Sequence, residues 1–161
     1  MYHILMSAYA CEPGAGSEYG VGWMVPTTMA RKYPEHQFYV LTRSRCREKI
    51  EKVIETEGIL PKSEIRFYEY ESGKELLENA DILHDLVFMD MRMPGLDGNK
   101  SVLKLREYNR AAILVFCSGY FEPTPDSINI GQSFRYIMKD LHDRSLKREI
   151  PAILSKVKLH C

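Results

Sequence analysis

The chain reads as α/β: a doubly wound, mostly parallel, six-stranded sheet held between helices in three αβα layers. Three observations carry this expectation. Apolar runs rich in β-branched and aromatic residues recur at 3–9, 37–42, 64–70, 85–89, 112–117 and 134–138. The segments between them carry helical rather than alternating periodicity. The run Asp85-Leu-Val-Phe-Met-Asp90 is apolar without alternation, as expected of a parallel strand buried on both faces.

Taken in order, the first run leads through a glycine-rich stretch into a helix near 18–32. Pro26 falls inside that helix, where it removes a backbone hydrogen bond and is expected to kink the segment. After the second run, Cys46, Ile50, Val53 and Ile54 form one apolar helix face and Gly58 follows as a stop signal. After the fourth, Met93-Pro-Gly-Leu-Asp-Gly98 supplies a tight turn, and a helix resumes near Asn99. Pro123 and Pro125 weaken the helix expected before Gly131. The last helix has its apolar face at Leu146, Ile150, Ile153, Leu154 and Val157, with Pro151 as a second expected kink. Winding the first half one way and the second half the other gives the order 3-2-1-4-5-6, a Rossmann- or flavodoxin-like sheet.

At 161 residues with 45% hydrophobic content, the chain fits one compact α/β domain over 1–161. Lys plus Arg and Asp plus Glu both number 22, so no broad basic field draws nucleic acid or an anionic membrane. Cys11, Cys46, Cys117 and Cys161 show no metal-binding spacing and are too few for a disulfide framework. The N-terminus has no signal-peptide pattern, and no apolar run approaches the roughly 20 residues that span a bilayer. A cytoplasmic location is the expectation. No repeat or low-complexity linker divides the chain.

The chemistry centres on Asp90. In an open α/β sheet the ligand site lies beyond the carboxyl ends of the strands, and Asp90 ends the most apolar one. The bland reading is that Asp90 merely caps the next turn. Similarly, Ser118 at the end of Val115-Phe-Cys-Ser118 reads singly as a turn residue, and Lys139 at the end of Phe134-Arg-Tyr-Ile-Met-Lys139 as a solvated charge. Taken together, a hydroxyl and an ammonium flanking a carboxylate suit phosphoryl ligands.

The nine residues Asp90-Met-Arg-Met-Pro-Gly-Leu-Asp-Gly98 resemble the signature of response-regulator receiver domains around their phosphorylated aspartate. The resemblance covers about 64–157, or 72–161 as a receiver-like part. It implies a phosphorelay signalling module with Asp90 as phosphoacceptor, Ser118 and Lys139 as phosphoryl ligands, and Ser118 and Tyr136 as switch residues. A buried core tyrosine is the plain alternative for Tyr136. The phosphoryl source would be a histidine kinase or a small phosphodonor, with no enzymatic activity beyond self-phosphorylation. Tyr70-Glu-Ser-Gly-Lys-Glu-Leu-Leu77 and the Phe-x-Tyr-x-x-Lys ending are most similar to receivers that precede a LytTR-type DNA-binding domain, although no output domain follows here. Asp140 stands where a proline usually follows the lysine.

The first third resembles another family. Ile4 to Trp23, with Ala10-Cys-Glu-Pro-Gly14 and Val21-Gly-Trp23, is similar to the opening of family-four glycosyltransferases, a similarity that ends at about 45 or extends to 70. That resemblance implies a ligand-lining loop in which Gly14 and Gly16 permit close backbone approach, with helix-start amides available to an anion. Such enzymes bind their sugar nucleotide largely through a second domain, for which this chain has no room. The two resemblances meet between about 43 and 72.

Receivers hold Mg²⁺ with an acidic pair at the end of their first strand, and this chain lacks that pair. If 37–42 takes the first-strand role, Thr42 and Arg43 stand near the expected carboxylates. If 3–9 takes it, Glu12 follows the strand and shares a crevice with Asp90. The metal ligands are then Asp90, the Arg92 backbone carbonyl and Glu12. The rival functions are an N-terminal glycosyltransferase fragment and a phosphorylation-incompetent α/β scaffold that binds protein.

Overall fold

A computed structural model describes residues 1–7, 17–42, 46–57, 65–69, 84–90, 98–118, 124–138 and 144–160. Six strands form one sheet: β1 (His3–Ser7), β2 (Gln37–Thr42), β3 (Ile65–Glu69), β4 (Leu86–Asp90), β5 (Ile113–Ser118) and β6 (Arg135–Met138). Their order is β3-β2-β1-β4-β5-β6, and every pairing is parallel. Without β3, the remaining five strands renumbered in chain order run 2-1-3-4-5, the flavodoxin-like order.

Five helices are described: α1 (Ser17–Lys32), α2 (Arg47–Glu57), α3 (Gly98–Tyr108), α4 (Pro125–Gly131) and α5 (Arg144–His160). The sheet's two faces carry separate cores. One cluster joins Ile4, Met6, Phe38, Val40, Leu86 and Phe88 to Met29 and Ala30 of α1, Ile50 of α2, and Ile150, Ile153 and Val157 of α5. The other joins Leu5, Tyr39, Val87, Met89, Leu114 and Phe116 to Val102 and Leu105 of α3. Helix α2 therefore packs on the same face as α1 and α5. Alternate residues of β4 feed opposite clusters and all five are buried, which is why its sequence shows no polar alternation.

Pro26 and Pro151 lie inside α1 and α5 and do not end them. In α5 the apolar stripe continues on both sides of Pro151, with Leu146 and Ile150 before and Ile153 and Val157 after. Burial of roughly 1.5–3 kcal/mol per such side chain outweighs the roughly 3 kcal/mol cost of an interior proline. Nor does Pro125 weaken the helix before Gly131: it is that helix's first residue. The Thr124 carbonyl accepts the first helical bond from Ile128 N at 3.1 Å. A proline just inside the start forfeits only an N–H with no helical partner. The helix closes at Gln132, whose φ of 47° and N–H to Ile128 O bond at 2.9 Å form a left-handed stop.

Candidate phosphoryl-acceptor site

The carboxyl ends of the strands form one rim. Asp90 is the last residue of β4 and only 9% exposed. It lies opposite Cys117 of β5, and the next residue, Ser118, ends β5 opposite Met138 of β6. The chain position after Met138 is Lys139. Lys139, Arg92, Glu12, Gly14 and Gly16 lie outside the described residues, as does the turn 91–97.

Strand β1 pairs directly with β4, with Met6 opposite Phe88. The alternative in which 37–42 takes the first-strand role is thereby corrected. Strand β2 lies beyond β1, about 9–10 Å from β4 at the usual inter-strand spacing, so Thr42 at its end is not a neighbour of Asp90. The reason is topological: a doubly wound sheet starts at its centre, and the first strand borders the first strand of the second half. Tyr136 lies opposite Phe116 and packs, half-buried, against the α3-face cluster.

Of the metal donors expected from the sequence, only Asp90 is among the described residues. No group of three or more His, Cys, Asp or Glu gathers among those residues to hold a metal ion. Among the described residues no helix is long and apolar enough to cross a membrane.

The opposite end of the sheet holds polar groups that the sequence did not single out. Asp85, just before β4, donates its N–H to His3 O at 2.8 Å and accepts His3 N–H on Oδ2 at 2.7 Å. Its carbonyl accepts Ile113 N–H at 2.9 Å. Asn109, after α3, donates from Nδ2 to His84 O at 2.9 Å and accepts Ala112 N–H on Oδ1 at 3.0 Å. These bonds fix the entry of β4 between β1 and β5, and so the register that delivers Asp90 to the rim. Each polar residue stands just outside an apolar run, a signal that only the strand order converts into contacts.

No protein-family model matches the chain, and no curated protein matches it either. Solved structures do match. The receiver domain of Francisella response regulator 1452 is 17% identical, with 100% of each chain covered and a TM-score of 0.53. The N-terminal domain of a response regulator/sensory box/GGDEF protein from Carboxydothermus hydrogenoformans is 16% identical, covering 98% of this chain and 97% of that one at 0.53. Response regulator TrrA from Thermotoga maritima, solved in complex with Mg²⁺-BeF, is 18% identical, covering 95% and 99% at 0.50. At these identities the likeness is one of fold: the chain has the fold of response-regulator receiver domains along its whole length.

Proposed function

We propose that the chain is a receiver-like signalling module that accepts a phosphoryl group on Asp90. The observation that carries this reading is the position of Asp90, a nearly buried carboxylate ending the central strand β4 within a receiver fold. An Asp90 carboxylate oxygen attacks the phosphorus of acetyl phosphate or of a kinase phosphohistidine. A P–O bond to Asp90 forms as the P–O or P–N bond to the donor breaks, and acetate or the histidine leaves. Charge builds on the phosphoryl oxygens in the transition state. The Ser118 hydroxyl and the Lys139 ammonium are the groups assigned to it, because donors aimed at developing charge lower the barrier.

Mg²⁺, when bound, neutralises phosphoryl charge, with Asp90, the Arg92 carbonyl and Glu12 as the ligands to test. The pairing of β1 with β4 supports Glu12 over Arg43 as the first-strand contribution. Tyr136, half-buried beside Phe116, is assigned as the side chain that responds when Ser118 engages the phosphoryl group. The Phe-x-Tyr-x-x-Lys ending favours the LytTR-associated subtype.

The test is incubation with Mg²⁺ and acetyl phosphate, or with beryllofluoride, read by intact mass and amide NMR. The parent should gain one phosphoryl mass and Asp90→Asn should not. Equal modification of both proteins would remove Asp90 from the role.

A second reading rests on β3. The full order 3-2-1-4-5-6 is that of nucleotide-binding sheets, and α1 begins at Ser17, directly after the string containing Gly14 and Gly16. On this reading the first third belongs to a sugar-nucleotide-binding enzyme that needs a partner domain. Heat on titration with a sugar nucleotide, lost in Gly16→Val, would support it. Failure to bind either beryllofluoride or a sugar nucleotide would leave a protein-binding scaffold.

A further inference from the structure

Far from Asp90, at the entry to the sheet, one imidazole is enclosed with its Nδ1 unbonded. His84 precedes β4 and is 7% exposed, and its Nδ1 is buried with no hydrogen-bond partner. Its ring meets the Tyr39 ring edge-on, with centroids 5.0 Å apart and planes at 77°. Tyr39, on β2, is 2% exposed, and its hydroxyl is 2.8 Å from Nδ1 of His3 on β1. The two imidazoles thus flank one buried tyrosine where β1, β2 and β4 begin.

They differ in what each Nδ1 meets. That of the half-buried His3 has the Tyr39 hydroxyl as hydrogen-bond partner, a group that can accept or donate. A proton on His84 Nδ1 would be a buried donor without an acceptor, and such a group bears its full desolvation cost. The titratable groups facing it are His3 from β1, Tyr39 from β2 and the adjoining Asp85; Asn109, after α3, holds its backbone and is uncharged. Burial and the neighbouring His3 together outweigh the attraction of Asp85, lowering the His84 pKa from 6.5 to about 4.

We propose that His84 is an acid-sensitive latch, whose protonation opens the N-terminal edge of the sheet where β1, β2 and β4 meet. The sign follows from proton counting. Between pH 6.5 and about 4 the unfolded chain holds a proton on His84 that the native protein does not, so stability falls as pH falls through that window. The folded-to-unfolded ratio then drops about tenfold per pH unit from this group alone. Because Asp85 is anchored to His3 and Ile113, expulsion of His84 loosens β4 at its start.

The experiment uses the full chain and two readouts. Side-chain NMR of His84 should show a neutral ring until well below pH 6, with accelerated amide exchange at His3 and Asp85 once it titrates. Urea denaturation from pH 7 to 4 should show His84→Gln losing the parental dependence in that window while other acid sensitivity remains. An ordinary titration near 6.5 without faster exchange would overturn the proposal, as would an unchanged slope in His84→Gln. Should His84→Gln not fold, the wild-type resonance and exchange rates decide alone.

Discussion

Gly131 lies so close to Val102 that a β-carbon on it would stand 2.3 Å from Val102 Cγ1. This approach seats the end of α4 on α3, and the Gly131 carbonyl then accepts Arg106 Nε at 2.8 Å. Gly131→Ala must push the helices apart or force a rotamer change, a cost of roughly 1–3 kcal/mol for overpacking. Urea denaturation should show that loss, and adding Val102→Ala should restore part of it. Equal stability of Gly131→Ala and the parent would mean that the two helices are not held in contact.

Arg106 binds four backbone carbonyls: Gly131 through Nε, and Asn109, Arg110 and Ala112 through Nη1, at 2.8–3.3 Å. One guanidinium so ties the ends of α3 and α4 to the entry of β5. Burial lowers its pKa from the ordinary arginine value, yet a guanidinium keeps its charge in a protein. Arg106→Ala should destabilise by about 1.5–3 kcal/mol, the range for hydrogen bonds to a charged group. Arg106→Lys should recover little, since an ammonium lacks the planar fork. Full recovery by lysine would reduce the role to charge alone.

Cutting the chain between Tyr70 and Ser72 should not release a stable receiver-like half. Strand β1 covers one edge of β4, and Leu86–Asp90 is buried throughout. A fragment of 72–161 exposes that edge and the core residues that Ile4, Met6, Phe38 and Val40 pack against, and a bare apolar edge strand invites association. We expect a poorly folded or aggregating fragment by circular dichroism and light scattering. Folding to parental stability would make the first 70 residues a separate unit.

Ser118→Ala tests the hydroxyl assigned to the phosphoryl group. Its folding free energy should stay within about 0.5 kcal/mol of the parent, while the NMR response to beryllofluoride, including that of Tyr136, should shrink. A full parental response would take Ser118 out of the site.

Glu12→Gln tests the metal ligand that follows β1. Two carboxylates offset the dehydration of Mg²⁺ better than one, so the substitution should weaken Mg²⁺ binding and slow modification of Asp90 with little change in stability. Asp90→Asn should abolish the binding. Superimposable Mg²⁺ titrations of parent and Glu12→Gln would show that the segment after β1 supplies no ligand.

Local sequence alone was enough for the alternation of elements, because apolar period and length are properties of neighbours in the chain. It also marked Asp90 as a strand-end carboxylate and gave β4 two buried faces from its unbroken apolar run. The winding rule for such sheets already implied the order 3-2-1-4-5-6, with β1 beside β4, which is the order observed. Individual contacts across long separations were not legible in this way: that α2 shares a face with α1 and α5, and that His3, Tyr39 and His84 meet, follow from the register and packing of the paired strands. Strand pairing links residues 20 to 82 positions apart, and nothing periodic in either segment names the register. The prolines mark the same divide. Pro125 opens a helix and Pro151 lies inside one without ending it, because tertiary burial exceeds the local cost that a sequence pattern can register.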